Sequence, residues 1–225
     1  MDVQSILFDL DNTLLNRQKT FENYLDSFIS KYIFYNSPTE KKDIKNKIID
    51  MDKKGEKDKK ELFSELQHRL KWRLTPSVDY LVEEYKTIFA KNSIVMDGTF
   101  EVLTFCKNKN LKLGIITNGE SFYQKIKLNN TNLTCFFDFI LISEEFGKAK
   151  PHRSIFKFAI DKMAIDPRKS IFIGDNLISD IYGASRFGFY TVWYNHSNIV
   201  KQNPITVKPN KIITSLSELL KIKDW

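Results

Sequence analysis

At 225 residues, with 42% hydrophobic and 28% charged residues and only 8 Gly and 6 Pro, the chain has the make-up of a folded globular protein, not a fibrous or disordered one. Its two cysteines, Cys106 and Cys135, have no C-x-x-C spacing, which excludes a zinc ribbon and reads as buried free thiols in a reducing compartment. The start MDVQSILF lacks the basic and long apolar parts of a signal peptide, and no apolar run approaches the roughly 18 residues of a membrane span. A cytoplasmic location is therefore expected.

Ser5 to Leu10 is continuously apolar, the pattern of a strand buried on both faces. From Thr20 the pattern changes: Phe21, Tyr24, Leu25, Phe28, Ile29, Tyr32 and Ile33 recur at helical spacing. Further helices are predicted over Thr39–Lys53, Lys60–Trp72 and Pro76–Ala90, the last starting on a helix-tolerated proline. The stretch Lys41 to Arg73 carries 12 Lys and Arg against 7 Asp and Glu, a net +5 within a protein of net charge +7. Such an excess could attract nucleic acid, but its signs alternate along helical patterns, as on a solvated face with paired charges.

After Asp97 strands and helices alternate. LKLGIIT (Leu111–Thr117), FDFILI (Phe137–Ile142), SIFIG (Ser170–Gly174) and FYTVWY (Phe189–Tyr194) are predicted strands, and a last short one falls near Ile212. Helices are predicted over Gly98–Asn108, Ser121–Leu128, Arg153–Met163, Ser179–Phe187 and Ser215–Ile222. This alternation implies an α/β core, a Rossmann-like parallel sheet, with the helical block inserted after its first strand.

Ligands of such sheets bind at the carboxyl ends of the strands. There the sequence places Asp9 and Asp11 after the first strand and Thr117, Asn118 and Gly119 after the second. A later loop carries Lys148 and Lys150, and the fourth strand leads into Asp175 with Asp180 five residues on. Each has a plain alternative as a turn or helix cap, but unrelated turns have no reason to gather carboxylates, a lysine and a Thr-Asn pair along one edge. The set suits phosphoryl transfer through an aspartyl phosphate. Asp9 and Asp175 would repel unless a divalent cation lay between them, and an all-oxygen donor set favours Mg²⁺. Asp9 is then the nucleophile, and Asp11 is placed to protonate the leaving alcohol and later to activate water. Lys150 and Thr117, with backbone N–H groups near Asn118 and Gly119, would bind the phosphoryl oxygens.

The motifs DLDNT (9–13), TNG (117–119), SEEFGKAKP (143–151) and GDNLISDIYGA (174–184) resemble, in order, those of haloacid dehalogenase superfamily hydrolases whose helical cap follows the first strand. The resemblance implies a core of residues 1–15 and 95–225, an all-helical cap of residues 16–94, and a parallel sheet of five or more strands with the nucleophile strand central. It makes Asp9 the nucleophile and a Mg²⁺ ligand, and puts the backbone carbonyl of Asp11 on the metal. Asp175 becomes a direct ligand, with Asp180 supporting the metal site. Thr117 and Lys150, in preference to Lys148, would contact phosphate, and Thr13 would orient the nucleophile loop. His152 stands where relatives commonly carry Asp. Because Asp11 is retained, the dehalogenase branch is disfavoured: expelling a halide needs no protonation.

The function expected is a Mg²⁺-dependent phosphatase of small phosphorylated metabolites, of the nucleoside monophosphate or sugar phosphate type. The alternatives are a phosphomutase using the same intermediate and a basic nucleic-acid-binding protein, which would leave the aspartates without a role. Phe21, Tyr24 and Trp72 could stack on a base or sugar, but at helical spacing aromatics more often pack a core.

Overall fold

The computed structural model describes residues 2–55, 57–196 and 207–221. The chain divides into two compact units, Met1–Asn16 with Val95–Trp225, and Arg17–Ile94. Asn16 thus groups with the first unit, one residue beyond the expected boundary.

Strand β1 (Ser5–Phe8) is buried along its whole length. The chain then builds the second unit from α1 (Arg17–Tyr32), α2 (Pro38–Asp52), α3 (Lys59–Arg69) and α4 (Val78–Lys91). The stripe read from Thr20 onward is the buried face of α1. Side chains of Ser37, Asp58 and Ser77 accept backbone N–H bonds at the starts of α2, α3 and α4. Two expected ends shift. Pro76 lies outside α4 because Ser77 takes the capping position, accepting from the Tyr80 N–H at 3.3 Å. Helix α3 stops at Arg69, short of Trp72, because the chain at 71–73 pairs with 32–34: the Phe34 N–H donates to the Lys71 carbonyl and the Arg73 N–H to the Tyr32 carbonyl, both at 2.8 Å.

Phe21, Tyr24 and Trp72 are packing groups of this unit. Tyr24 stacks on Phe28, the Trp72 ring meets Phe28 edge-on, and the indole N–H donates to the Leu66 carbonyl at 3.1 Å. Within the basic stretch, Lys45, Lys57, Lys60 and Arg69 pair with Asp26, Glu65, Asp79 and Glu65. A buried carboxylate, Asp52, receives Arg17 at 3.1 Å and Lys59 at 2.6 Å.

The first unit resumes with α5 (Thr99–Asn108), β2 (Lys112–Thr117), α6 (Ser121–Asn130), β3 (Phe139–Ile142), the short α7 (Ser143–Phe146) and α8 (Arg153–Met163). Strands β4 (Ser170–Gly174), β5 (Tyr190–Tyr194) and β6 (Lys211–Ile213) follow. All pairs are parallel, in the order β3-β2-β1-β4-β5-β6. Strand β1 sits between β2 and β4, with Ser5 opposite both Lys112 and Ser170. Its side chains alternate between two cores: Ile6 and Phe8 pack with Leu103, Cys106 and Ile173, and Leu7 with Ile116, Phe156 and Phe172. The order reverses direction about β1, which makes its carboxyl end the switch point at which such sheets take ligands.

Three expectations are corrected. The helix expected over Ser179–Phe187 is a π-helical turn, Leu177–Tyr182, continuing into Gly183–Ser185. The last helix is a 3₁₀ segment, Leu216–Lys221, and its expected end at Ile222 lies outside the described residues. Cys106 is buried, but Cys135 is exposed, its thiol donating to the Asn132 carbonyl at 3.3 Å.

Replacing Asp52 by Ala should destabilise the helical unit by about 3 kcal/mol, because it leaves two largely buried cations without their carboxylate. Urea unfolding followed by tryptophan fluorescence of Trp72 measures this; a change under ~0.5 kcal/mol would show that Arg17 and Lys59 do not depend on it.

Candidate active site

Asp9 continues β1, its N–H donating to the Ile173 carbonyl of β4 at 2.9 Å. Asn12 adopts a left-handed backbone (φ 62°), which Asn tolerates better than most residues. The reversal brings the Thr13 hydroxyl back to donate to Asp9 Oδ2 at 3.2 Å. On the other oxygen, Lys150 Nζ donates to Asp9 Oδ1 at 2.7 Å, and the same ammonium lies 2.7 Å from Asp180 Oδ1. Lys150 is buried, whereas Lys148 is exposed, so of the two lysines only Lys150 enters this cluster.

Asp9, Asp175 and Asp180 each offer an oxygen within 4.8 Å of the others. Three carboxylates so close form a hard, all-oxygen donor set that fits Mg²⁺. Burial pushes the Asp9 carboxyl up from 3.8 to about 7, Lys150 works against the shift, and the Asp180 and Asp11 carboxylates add to it. Burial pulls the Lys150 pKa down, but Asp180 and Asp9 outweigh it and hold it above the usual lysine value.

Asp180 reaches this position through the π-helical turn. Its Oδ2 accepts the Asn176 N–H at 3.0 Å and its Oδ1 accepts the Ser179 hydroxyl at 3.1 Å. π-Turns recur at functional sites because the extra residue re-aims a side chain. Gly174, ending β4, makes room: a Cβ there would stand 2.4 Å from Asp180 Oδ2. Trp193 of β5 steadies the intervening loop, its indole N–H donating to the Asp175 carbonyl at 2.8 Å.

Asp11 does not join the triad through its carboxylate. Lys127 Nζ donates to both its oxygens, at 2.9 and 2.8 Å, and Gln124 Nε2 donates to Oδ2 at 3.0 Å. Any share of Asp11 in a cation would therefore fall to its backbone carbonyl. Thr117, buried at the end of β2, accepts from the same Gln124 amide at 2.7 Å. Asn118 clamps the lysine loop: its Oδ1 accepts the Lys150 N–H at 2.8 Å and its Nδ2 donates to the Lys150 carbonyl at 3.0 Å. The Gly119 N–H donates to Ser143 Oγ at 3.0 Å, tying the second loop to the third. His152 caps α8, its Nδ1 accepting the Ser154 N–H at 3.3 Å, the hydrogen-bonding role open to Asp.

Sequence reasoning missed Gln124, Lys127, Asn176 and Ser179. Nothing in SFYQKIKLNN separates Gln124 and Lys127 from surface residues of a helix. Asn176 reads as an ordinary turn residue and Ser179 as the start of the following helix.

The model of haloacid dehalogenase-like hydrolases matches residues 6–194. The chain belongs to that family. It is 29% identical over 223 residues to the glyceraldehyde 3-phosphate phosphatase of Pyrococcus furiosus, covering 98% of this chain and 92% of that protein. With the pyrimidine 5'-nucleotidase YjjG of Escherichia coli it shares 34% identity over 148 residues, 65% of this chain and 64% of YjjG. Among solved structures, the magnesium-bound HAD-hydrolase YfnB of Bacillus subtilis superposes with a TM-score of 0.75 at 23% identity, covering 100% of both chains.

Two outcomes test the site. Gly174→Ala should displace Asp180, so that a rise in Tm on adding Mg²⁺, expected of the wild type, is lost in the variant; an equal rise in both would contradict the close fit. The second concerns pH. A carboxyl raised from 3.8 to about 7 keeps more protons in the native state than in the unfolded one, so its effect on stability worsens as pH rises through that window and levels off above it. With chelator present, Asp9→Asn should melt above wild type at pH 8, the gap closing by about pH 4. A pH-independent gap would show that the Asp9 carboxyl is not raised.

Proposed function

We propose that this protein is a Mg²⁺-dependent phosphatase of small phosphorylated metabolites, working through an aspartyl phosphate on Asp9. The observation that carries the reading is a buried carboxylate at the switch point, held by one lysine within a triad of acidic groups. Two relatives, a glyceraldehyde 3-phosphate phosphatase and a pyrimidine 5'-nucleotidase, are named for activities on small phosphate monoesters. No described helix is long and apolar enough to cross a membrane. The helical unit, 17–94, is assigned the part of the cap.

Asp9, Asp175 and Asp180 would hold the cation, Asp180 directly or through water. When bound, the cation supplies the positive charge that lets a carboxylate approach a phosphate. The chain's own groups do the rest. Thr13 orients Asp9, whose free lone pair forms the bond to phosphorus as the ester oxygen leaves. Asp11 in its protonated form gives its proton to that oxygen, so an alcohol departs and Asp11 becomes the carboxylate that Lys127 and Gln124 hold here. Water then attacks phosphorus, its proton passes back to Asp11, and the bond to Asp9 breaks to release inorganic phosphate. Lys150, Thr117 and the backbone N–H of Asn118 bind the phosphoryl oxygens while charge shifts among them, and the Gly119 N–H, held by Ser143 Oγ, fixes the loop that presents them.

Asp9→Asn should lower phosphate release from a panel of phosphorylated metabolites by ~10⁴-fold or more while the variant still folds. In wild type, a chelator should stop the reaction and Mg²⁺ restore it. Wild-type rates in the folded variant would end this mechanism.

A further inference from the structure

Helix α6 buries two polar side chains and exposes an aromatic ring. Its exposed face carries Phe122, 66% accessible, while its inward face carries Gln124 and Lys127, 2% and 9% accessible, with Leu128. Burying an amide and an ammonium while exposing a phenyl ring runs against the hydrophobic effect, and a fold tolerates that where the polar groups have partners and a task. Residues 124 and 127 are one helical turn apart and share a face. Both converge on one side chain: Lys127 on the two Asp11 oxygens at 2.9 and 2.8 Å, Gln124 on Oδ2 at 3.0 Å. The Gln124 amide also reaches the Thr117 hydroxyl at 2.7 Å and the Asn118 carbonyl at 3.4 Å. The Lys127 end of the helix is braced in turn, its carbonyl accepting the Thr131 hydroxyl at 2.6 Å.

We propose that Gln124 and Lys127 are the positioning residues of Asp11, a clamp that holds the acid/base carboxylate toward α6 and clear of the Asp9–Asp175–Asp180 triad. The inference rests on the phosphatase reading. Its physical logic is competition. Asp11 lies two residues from Asp9, and a fourth carboxylate that swung into the triad would become a cation ligand with no oxygen left to deliver a proton. Two fixed donors on α6 oppose that swing. Because the same Gln124 amide holds Thr117, the clamp also ties the position of the acid/base to that of the phosphate-contacting hydroxyl.

Single-turnover rates of the Mg²⁺-loaded full chain on two esters test this. p-Nitrophenyl phosphate releases an oxygen that leaves without a proton, whereas glycerol 2-phosphate releases an alkoxide that needs one. In Lys127→Met the ratio of the aryl to the alkyl rate should rise by ~10²-fold, through the rate constant and with KM for glycerol 2-phosphate little changed, and Lys127→Arg should recover most of the loss. Gln124→Leu should raise the ratio in the same direction, and it carries the comparison should Lys127→Met fail to fold. An equal fall for both esters, or none for either, would overturn the clamp while leaving the phosphatase reading standing. A wild-type enzyme that releases phosphate from neither ester nor from any of the metabolite panel would overturn both.

Discussion

The site depends on one electrostatic constraint: acidic side chains crowd at the switch point of a parallel sheet, two of them, Asp9 and Asp180, buried where water cannot screen them. Asp9, Asp175 and Asp180 lie within 4.8 Å of one another, and the fixed cation placed among them is the Lys150 ammonium, 2.7 Å from both Asp9 and Asp180. Removing that lysine would leave like charges facing each other in a poorly screened space. Much of the local architecture serves to keep it there. Asn118 grips the Lys150 backbone from both sides, Gly174 leaves space for Asp180, and the π-turn carries Asp180 back over the strand end.

The two units solve their polar problems separately. The α/β unit concentrates charge along the edge of its sheet and keeps the strands themselves apolar. The helical unit packs rings from α1, α3 and α4 with Trp72, and settles the buried carboxylate of Asp52 between Arg17 and Lys59. Within its basic stretch Lys45, Lys57, Lys59, Lys60 and Arg69 are engaged in ion pairs, which gives these residues a structural use.

The sheet was the most legible part of the chain. Continuous apolar runs such as SILF and SIFIG occur where a strand is covered on both faces, and the strand ends followed once the rhythm of strands and helices was set. Asp9 and Asp175 could be listed because each directly follows its strand, whereas Lys150 and Asp180 lie further along the loops beyond theirs. Features created by tertiary contacts were not legible. Trp72 keeps to helical spacing yet sits in an extended pair with Ile33; Cys135 has apolar neighbours in sequence yet lies at the surface. Gln124 and Lys127 occupy a helix whose pattern gives the opposite orientation, and only the position of Asp11 in space explains why they point inward. His152 stands where the family resemblance leads one to expect Asp and still makes the cap, because an imidazole nitrogen accepts the same N–H.

The central claim is that Asp9, held between Thr13 and Lys150, takes the phosphoryl group. Acid quenching of the Mg²⁺-loaded enzyme during turnover, followed by peptide mass spectrometry, tests it most directly. The account predicts an acid-stable, base-labile phosphoryl group on the peptide containing Asp9, and none on that peptide from Asp9→Asn. Sustained hydrolysis with no phosphoryl group on Asp9, or with one on another residue, would contradict it.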